Sequence, residues 1–343
     1  MKAAVLGMGA WGTTFAQVMA DAGVDVVMWG RDEATAQEIT VEHTNSRRLP
    51  QVTLPDRVTA TTDASAALSG ADVVVVAVPS QFARGILEPL AASVPLSAVV
   101  VSLMKGVELG TDLRMSEVVS QALAVSPDRV VVVSGPNLAA EIAARQPTAT
   151  VVSGASTDAM ATVTTACSNA YFRPYTNADV IGVELCGAVK NVIAVAVGMA
   201  QGRGFGHNTT ATIITRGLAE ITRLGLRLGA EGETFPGLAG MGDLMATCAS
   251  PLSRNHTLGK HLGQGLTLDE AIAQTGGTAE GVKSCRSVQE LARQVGVDMP
   301  ITDAVVAVLH EGMPVDDMTR ALLSRPHKSE GVDATPVRVD GTR

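Results

Sequence analysis

Aromatic residues are scarce in this chain of 343 residues: 2 Trp, 2 Tyr and 5 Phe amount to 3%. Set against abundant Ala, Val, Gly and Leu, that scarcity speaks against an antiparallel sandwich and for Val-rich parallel strands covered by Ala/Leu helices. Cysteine is sparse as well. Cys167, Cys186, Cys248 and Cys285 lie far apart and form no C-x-x-C pair, which excludes a disulfide frame or zinc knuckle and fits reduced thiols in a cytoplasmic protein. His256 and His261 have neither ligand spacing nor acidic company, so they read as structural and no metal is expected. A basic run is missing and the formal net charge is -8, so the attraction that draws proteins to nucleic acid or anionic lipid is absent. The opening M-K-A-A-V-L-G is too short for a secretory h-region of about 7–15 apolar residues and reads as a strand. Residues 180–200 match the roughly 20 residues of a spanning helix but contain Glu184 and Lys190. An ionisable pair in so apolar a helix points to a protein interior holding a site, not to membrane insertion.

The length suffices for two domains, each able to bury its own core. Short β-branched runs at residues 2–6, 25–29, 57–60, 72–78, 98–103 and 129–133 read as strands, and the helix-length segments between them predict βαβ units with right-handed crossovers and a parallel sheet. Gly23 ends the first helix and Pro79 follows the fourth strand. Residues 149–152 and 171–175 extend the sheet. After about Asp179 the β-branched runs give way to helical patterns separated by Gly and Pro, as far as Leu323. The expected fold class is therefore α/β, a doubly wound sheet over residues 1–178 followed by an all-α domain over 179–323. The polar tail 324–343, with Pro326 and Pro336, is expected to be disordered.

G-M-G-A-W-G, residues 7–12, directly follows the first strand and opens the first helix. Gly7 permits a tight turn, Gly9 lets the backbone approach a pyrophosphate, and Gly12 lets helix and strand pack closely, while helix N–H groups face the phosphates. A dinucleotide is expected there. Where an NAD-specific fold places an acid for the ribose 2′-OH, this chain reads W-G-R-D. Arg31 can clasp a 2′-phosphate, which favours NADP; a shift of one residue would bring Asp32 there and favour NAD.

The later strand ends carry S-L-M-K-G-V-E, with Lys105, and S-G-P-N-L-A-A-E, with Gly135, Asn137 and Ala139. A cation and a small-residue turn on one sheet edge suit an anionic substrate, although Lys105 alone reads equally well as a surface cation. In E-L-C-G-A-V-K-N-V, Lys190 and Asn191 stand among apolar neighbours. Burial disfavours an ammonium, so Lys190 is either a proton-exchanging group or a structural lysine paired with a carboxylate such as Glu184. Asp243 is the lone carboxylate of G-L-A-G-M-G-D-L-M-A-T-C, and Ser253, Arg254 and Asn255 follow as a hydroxyl, a bidentate cation and an amide. Those three could clamp a phosphate, or either segment could be an N-cap or a surface loop.

Taken in order, G-M-G-A-W-G-T, K-G-V-E, S-G-P-N-L-A-A-E, E-L-C-G-A-V-K-N-V-I-A, G-F-G-H-N, G-L-A-G-M-G-D-L, S-R-N and A-E-G resemble the bacterial NAD(P)-dependent glycerol-3-phosphate dehydrogenase family over about residues 1–325. The resemblance implies an N-terminal Rossmann domain and a helical C-terminal domain enclosing a site between them. It also implies Lys190 as catalytic acid/base with Lys105, Asn191 and Asp243 beside it. Gly135, Asn137, Ser253, Arg254 and Asn255 would hold substrate, and Ala10, Trp11, Arg31, Lys105, Ala139, Arg254 and Glu280 the cofactor. The implied reaction is reversible NADPH-linked reduction of dihydroxyacetone phosphate to sn-glycerol 3-phosphate, the backbone of phospholipids. The chain departs from the family pattern at Asn137, where Ser or Thr is common, and at Leu138, often Phe. Two rivals are a hydroxyacid or sugar-acid dehydrogenase, which needs a carboxylate clamp, and a nonenzymatic NADP sensor, which could dispense with Lys190 and Asp243. A homodimer is left open.

Overall fold

The computed structural model describes residues 1–276 and 279–324; apart from Ser324, the tail expected to be disordered lies outside them. Its strands are β1 (Lys2–Leu6), β2 (Asp25–Trp29), β3 (Val58–Thr61), β4 (Val73–Val76), β5 (Val99–Ser102), β6 (Val130–Ser134), β7 (Thr148–Gly154) and β8 (Phe172–Asn177). They form one sheet in the order β3-β2-β1-β4-β5-β6-β7-β8. The chain leaves β1 toward β2 on one side and returns to β4 on the other. The carboxyl ends of β1 and β4 thus flank the crevice in which doubly wound sheets bind ligands.

Both faces of the sheet are covered, which explains why its strands are runs of valine and not alternating patterns. Ala3, Val5, Val73 and Val75 pack with Phe15 and Met19 of the first helix (Ala10–Asp21) and with Val163 of the Thr157–Cys167 helix. Ala4, Leu6, Val74 and Val76 face the other way, onto Leu87, Val118 and Val119.

The βαβ strands are parallel as expected, and the two runs expected to extend the sheet do so in a direction the sequence left open. β1 to β6 are parallel, but β7 runs antiparallel to β6, with β8 parallel to β7. The connecting helix, Ala139–Ala143, has five residues and spans only about 7.5 Å, too little to return along a strand. It stays against the first helix instead, where Thr14 Oγ1 donates to Ala139 O (3.2 Å) and Gln17 Nε2 to Ala143 O (3.1 Å).

After β8 the described chain is helical. The helix Val180–Gly202 begins where Asp179 accepts from the Gly182 N–H at 2.8 Å, and residues 182–200 are all buried. It is the one helix among the described residues long and apolar enough to cross a membrane, and here it is the axis of a protein core. Around it pack His207–Arg227, Asp243–Ala249, Arg254–Gly263, Gly281–Gln294 and Pro300–His310.

Candidate active site

The turn after β1 is shaped by what it backs onto. Gly7 has φ +123°, and a Cβ there would overlap the Ala77 carbonyl oxygen of the β4 exit; a Cβ on Gly12 would lie 2.5 Å from Gly7 O and 3.0 Å from the Ala77 Cβ. Gly9 differs: a Cβ there would meet nothing within 4 Å. The first helix opens at Ala10 with no side-chain cap and no acid in its first turn, so its leading N–H groups are open to an anion. Trp11 stands edge-on to Phe15 at 5.6 Å, and its buried Nε1 has no hydrogen-bond partner among the described residues. Closed behind, open in front and electropositive, this cradle fits a dinucleotide pyrophosphate.

At the end of β2, Arg31 is exposed, and among the described residues it has no ion pair. Asp32 is occupied as the N-cap of the Glu33–Gln37 helix, accepting from Ala34 N (3.1 Å) and Thr35 N (3.4 Å), with Arg47 at 3.7 Å. Those donors, the Thr35 amide first, hold its carboxyl below the usual range.

A third group of residues comes from three separate segments. Lys105, just past β5, donates to Asp243 Oδ2 at 2.6 Å and to Gly135 O at 3.2 Å. Lys190, midway along the buried Val180–Gly202 helix, donates to Asp243 Oδ1 and to Thr247 Oγ1, the latter at 2.7 Å. Two ammonium groups thus share one carboxylate whose side chain is 1% exposed, leaving a net positive cluster at the sheet edge. Burial pushes the Lys190 ammonium down to about 8; Asp243 opposes that shift and Lys105 adds to it. Lys105, 13% exposed, is not a surface cation. Nor is Glu184 the partner of Lys190: it is bound to Arg114 and Ser116, because six residues turn a helix by about 240° and put the two side chains on different faces.

Gly135 has φ +142°, and a Cβ there would press on Thr150 Cα at 3.3 Å. Asn137 donates through Nδ2 to Thr150 Oγ1 (3.0 Å), while its buried Oδ1 has no partner among the described residues. Ser253 is the N-cap of Arg254–Gly263, accepting from His256 N at 3.3 Å, so the capping alternative holds for that hydroxyl. Arg254 is exposed at the first position of that helix. Asn255 bridges three helices, donating to Asn191 Oδ1 (3.0 Å) and accepting from Gly281 N (2.9 Å). Burial raises the Glu280 carboxyl, opposed in turn by Arg254, Lys105 and Lys190, so it too faces this cluster.

Two residues escaped the sequence reading. Thr247, one helical turn beyond Asp243, also donates to Asp243 O at 2.7 Å; its spacing was the available signal. Asn45, 1% exposed, donates to Met8 O (3.1 Å) and Thr13 Oγ1 (2.9 Å) and so braces the glycine turn from 37 residues away. Among the described residues no group of three His, Cys, Asp or Glu could hold a metal ion.

Comparison with known proteins agrees across the chain. Residues 2–160 match the family described as NAD-dependent glycerol-3-phosphate dehydrogenase N-terminus, and residues 179–320 match its C-terminus. The chain is 57% identical over 330 residues to glycerol-3-phosphate dehydrogenase [NAD(P)+] of Streptomyces griseus, covering 96% of this chain and 98% of that one. A relative of the same name from Corynebacterium diphtheriae is 56% identical, covering 96% and 100%. The crystal structure of glycerol-3-phosphate dehydrogenase from Coxiella burnetii superposes with a TM-score of 0.90 at 36% identity, over 94% of this chain and 99% of that one. The chain belongs to the NAD-dependent glycerol-3-phosphate dehydrogenase family of oxidoreductases.

Proposed function

We propose that this protein catalyses reversible NADPH-linked reduction of dihydroxyacetone phosphate to sn-glycerol 3-phosphate, supplying the glycerol phosphate of phospholipids in the cytoplasm. The observation that carries the proposal is the Lys105–Asp243–Lys190 cluster, whose Lys105 lies just past β5, two strands along the sheet from β1 and its glycine turn. Residues 1–178 hold most of the nucleotide, with Gly7, Gly9, Ala10, Trp11 and Gly12 on the pyrophosphate, Arg31 on the 2′-phosphate and Lys105 and Ala139 beyond them; Arg254 and Glu280 of the helical domain complete the cofactor site. Preference for NADPH over NADH is supported by Arg31, which has no ion pair among the described residues, while Asp32 caps a helix. Residues 179–323 supply most of the substrate chemistry.

When bound, the cofactor supplies the hydride. Lys190 holds a proton at Nζ and gives it to the oxygen that becomes the alcohol; its lowered affinity for that proton suits exchange near neutral pH. Asp243 orients both ammonium groups, and Lys105 stabilises the developing negative charge in a site sheltered from water. Asn191, tied to Asn255, and the Gly135–Asn137 turn position the substrate, whose phosphate Ser253, Arg254 and Asn255 grip. Four buried thiols, Cys167, Cys186, Cys248 and Cys285, all pushed upward by burial, stay out of the chemistry and support a reducing compartment.

The test is oxidation of NADPH and NADH by the purified protein with dihydroxyacetone phosphate, against a panel of keto acids and sugar acids. Turnover with dihydroxyacetone phosphate and a lower KM for NADPH is expected; turnover confined to a carboxylate substrate would overturn the proposal.

A further inference from the structure

We infer that Glu184 is a positioning residue: through Arg114 and Ser116 it locks the loop that carries Lys105 onto the helix that carries Lys190. The inference rests on the reading of the Lys105–Asp243–Lys190 cluster given above and adds the device that holds its two halves in register.

After β5 the chain makes an excursion, residues 105–114, before the helix Met115–Ala122. On the sheet side it is held by Gln81, which donates to Val107 O (2.8 Å) and accepts from Leu109 N (3.1 Å), and by the Arg84–Glu108 ion pair at 2.8 Å. The excursion is closed on itself by an isolated bridge between Val107 and Arg114 and by the Glu108 N–H donating to Leu113 O at 2.9 Å. Val107, two residues past Lys105, is fully buried, and it lies not in the sheet's core but in that of the helical domain, with Leu185 and Val189. The loop is thus plugged into the other domain.

Glu184 fastens the plug. Its carboxylate, 3% exposed, accepts from Arg114 Nη1 (3.0 Å), Ser116 N (2.7 Å) and Ser116 Oγ (2.6 Å). Ser116 N lies in the first turn of Met115–Ala122, where a carboxylate satisfies a free helix N–H. A buried carboxylate is costly unless fully partnered, and well-packed apolar groups often serve stability as well or better. What an apolar contact cannot provide is a single register. Three directional bonds fix the loop against Val180–Gly202, six residues before Lys190, and so fix Lys105 against Lys190. A displacement of about 1 Å in such a site can cost 10²-fold in turnover.

The experiment is a double-mutant cycle in the full chain between Glu184→Ala and Lys105→Met, reading kcat and the KM values for dihydroxyacetone phosphate and NADPH. Glu184→Ala is expected to lower kcat at least about tenfold while changing the KM for NADPH by less than it changes kcat, because the glycine turn on β1 and Arg31 are not part of the lock and Lys105 is only one of the groups assigned to the cofactor. In the Lys105→Met background the same change should cost less than about threefold more, since there is no Lys105 left to misplace. Independent losses that multiply, or a kcat unchanged by Glu184→Ala, would overturn the inference and leave Glu184 a stability residue. If Glu184→Ala does not fold, Glu184→Gln, which keeps the volume and an acceptor for Ser116 N, enters the same cycle: sub-multiplicative losses support the lock, and multiplying losses overturn it. Should Lys105→Met alone leave turnover unchanged, the cluster reading itself falls and takes this inference with it, whereas failure of the cycle alone leaves the cluster standing.

Discussion

Lys190 owes its chemistry to where it sits. In water its ammonium would be a poor proton donor at neutral pH; buried, with one shared carboxylate, it is brought to about 8. As donor in the reduction it must be protonated, so kcat for dihydroxyacetone phosphate should be flat below about pH 8 and fall about tenfold per unit above it. Oxidation of glycerol phosphate needs the neutral amine and should rise through the same pH; profiles that moved in the same direction would remove Lys190 from the proton path. The stability sign is opposite to that of a stabilising ion pair. A lysine whose folded value is depressed weakens the fold while it is charged, and that penalty fades only as pH rises from about 8 toward 10.5. Lys190→Met should therefore melt no lower than the parent at pH 7 and bind NADPH near normally, yet turn over at least about 10² times more slowly. At the other end of the cofactor, Arg31→Ala should weaken NADPH by one to two decades, the worth of a charge-assisted bond of about 1.5–3 kcal/mol. NADH, without the 2′-phosphate, should change little, and equal losses in fluorescence titrations would refute the assignment.

Two helices are set against each other by glycine. In the Val180–Gly202 and Arg254–Gly263 helices, Gly198 and Gly202 face Gly259 and Gly263, and a Cβ at any of the four would overlap backbone of the opposite helix. Removal of the side chains lets the axes approach more closely than ordinary packing allows. One helix carries Lys190 and Asn191, the other begins with Arg254 and Asn255, and the Asn255–Asn191 bond of 3.0 Å depends on that approach. Gly259→Ala should cost about 1–3 kcal/mol by overpacking, and it should raise the KM for dihydroxyacetone phosphate more than that for NADPH. A melting temperature and both KM values check this, and an unchanged substrate KM would show that the crossing does not set the clamp. Sequence disclosed what is local: β-branched runs marked the first six strands to within a few residues and apolar runs the last two, and the glycine turn announced itself because its constraints fall within six positions. The crossing was not legible, since a helical glycine states its reason only when its neighbour is known. The reversal of β7 was hidden likewise, since valine runs look alike in either direction; the spacing of Thr247 tied it to Asp243, but its bond to Lys190, 57 residues earlier, was out of reach.

Over the whole molecule, ionisable groups are buried at a cost that shows in how stability varies with pH. Glu184, Glu220 and Glu280 are all raised, with burial the largest cause in each. Of the lowered carboxyls, Asp32, Glu38 and Glu270 lie at the surface, where solvent screening leaves little to gain, and Glu108, held down first by Arg84, is part-buried but titrates below 4.5. Between pH 4.5 and 7 the buried carboxyls lower stability as pH rises, opposed by His256 and His310, whose imidazoles burial depresses. Glu220, 1% exposed, reaches from the His207–Arg227 helix to the start of Pro300–His310, accepting from Ile301 N (2.8 Å) and Thr302 N (3.3 Å). Those amides favour the carboxylate, but burial outweighs them and brings the group from 4.5 to about 7. With the folded value above the unfolded one, the neutral acid is the form the fold prefers. Its contribution is fully present below about 4.5 and is lost as pH rises to about 7, a difference on the order of 3 kcal/mol at most. Glu220→Gln copies the neutral acid and keeps an oxygen for both amides. It should match the parent near pH 4.5 and melt several degrees higher at pH 8, with a flatter curve between. A variant that melted lower than the parent at pH 8 would mean that the two helix-capping bonds to the charged carboxylate outweigh its burial, and the slope attributed to Glu220 would have the wrong sign.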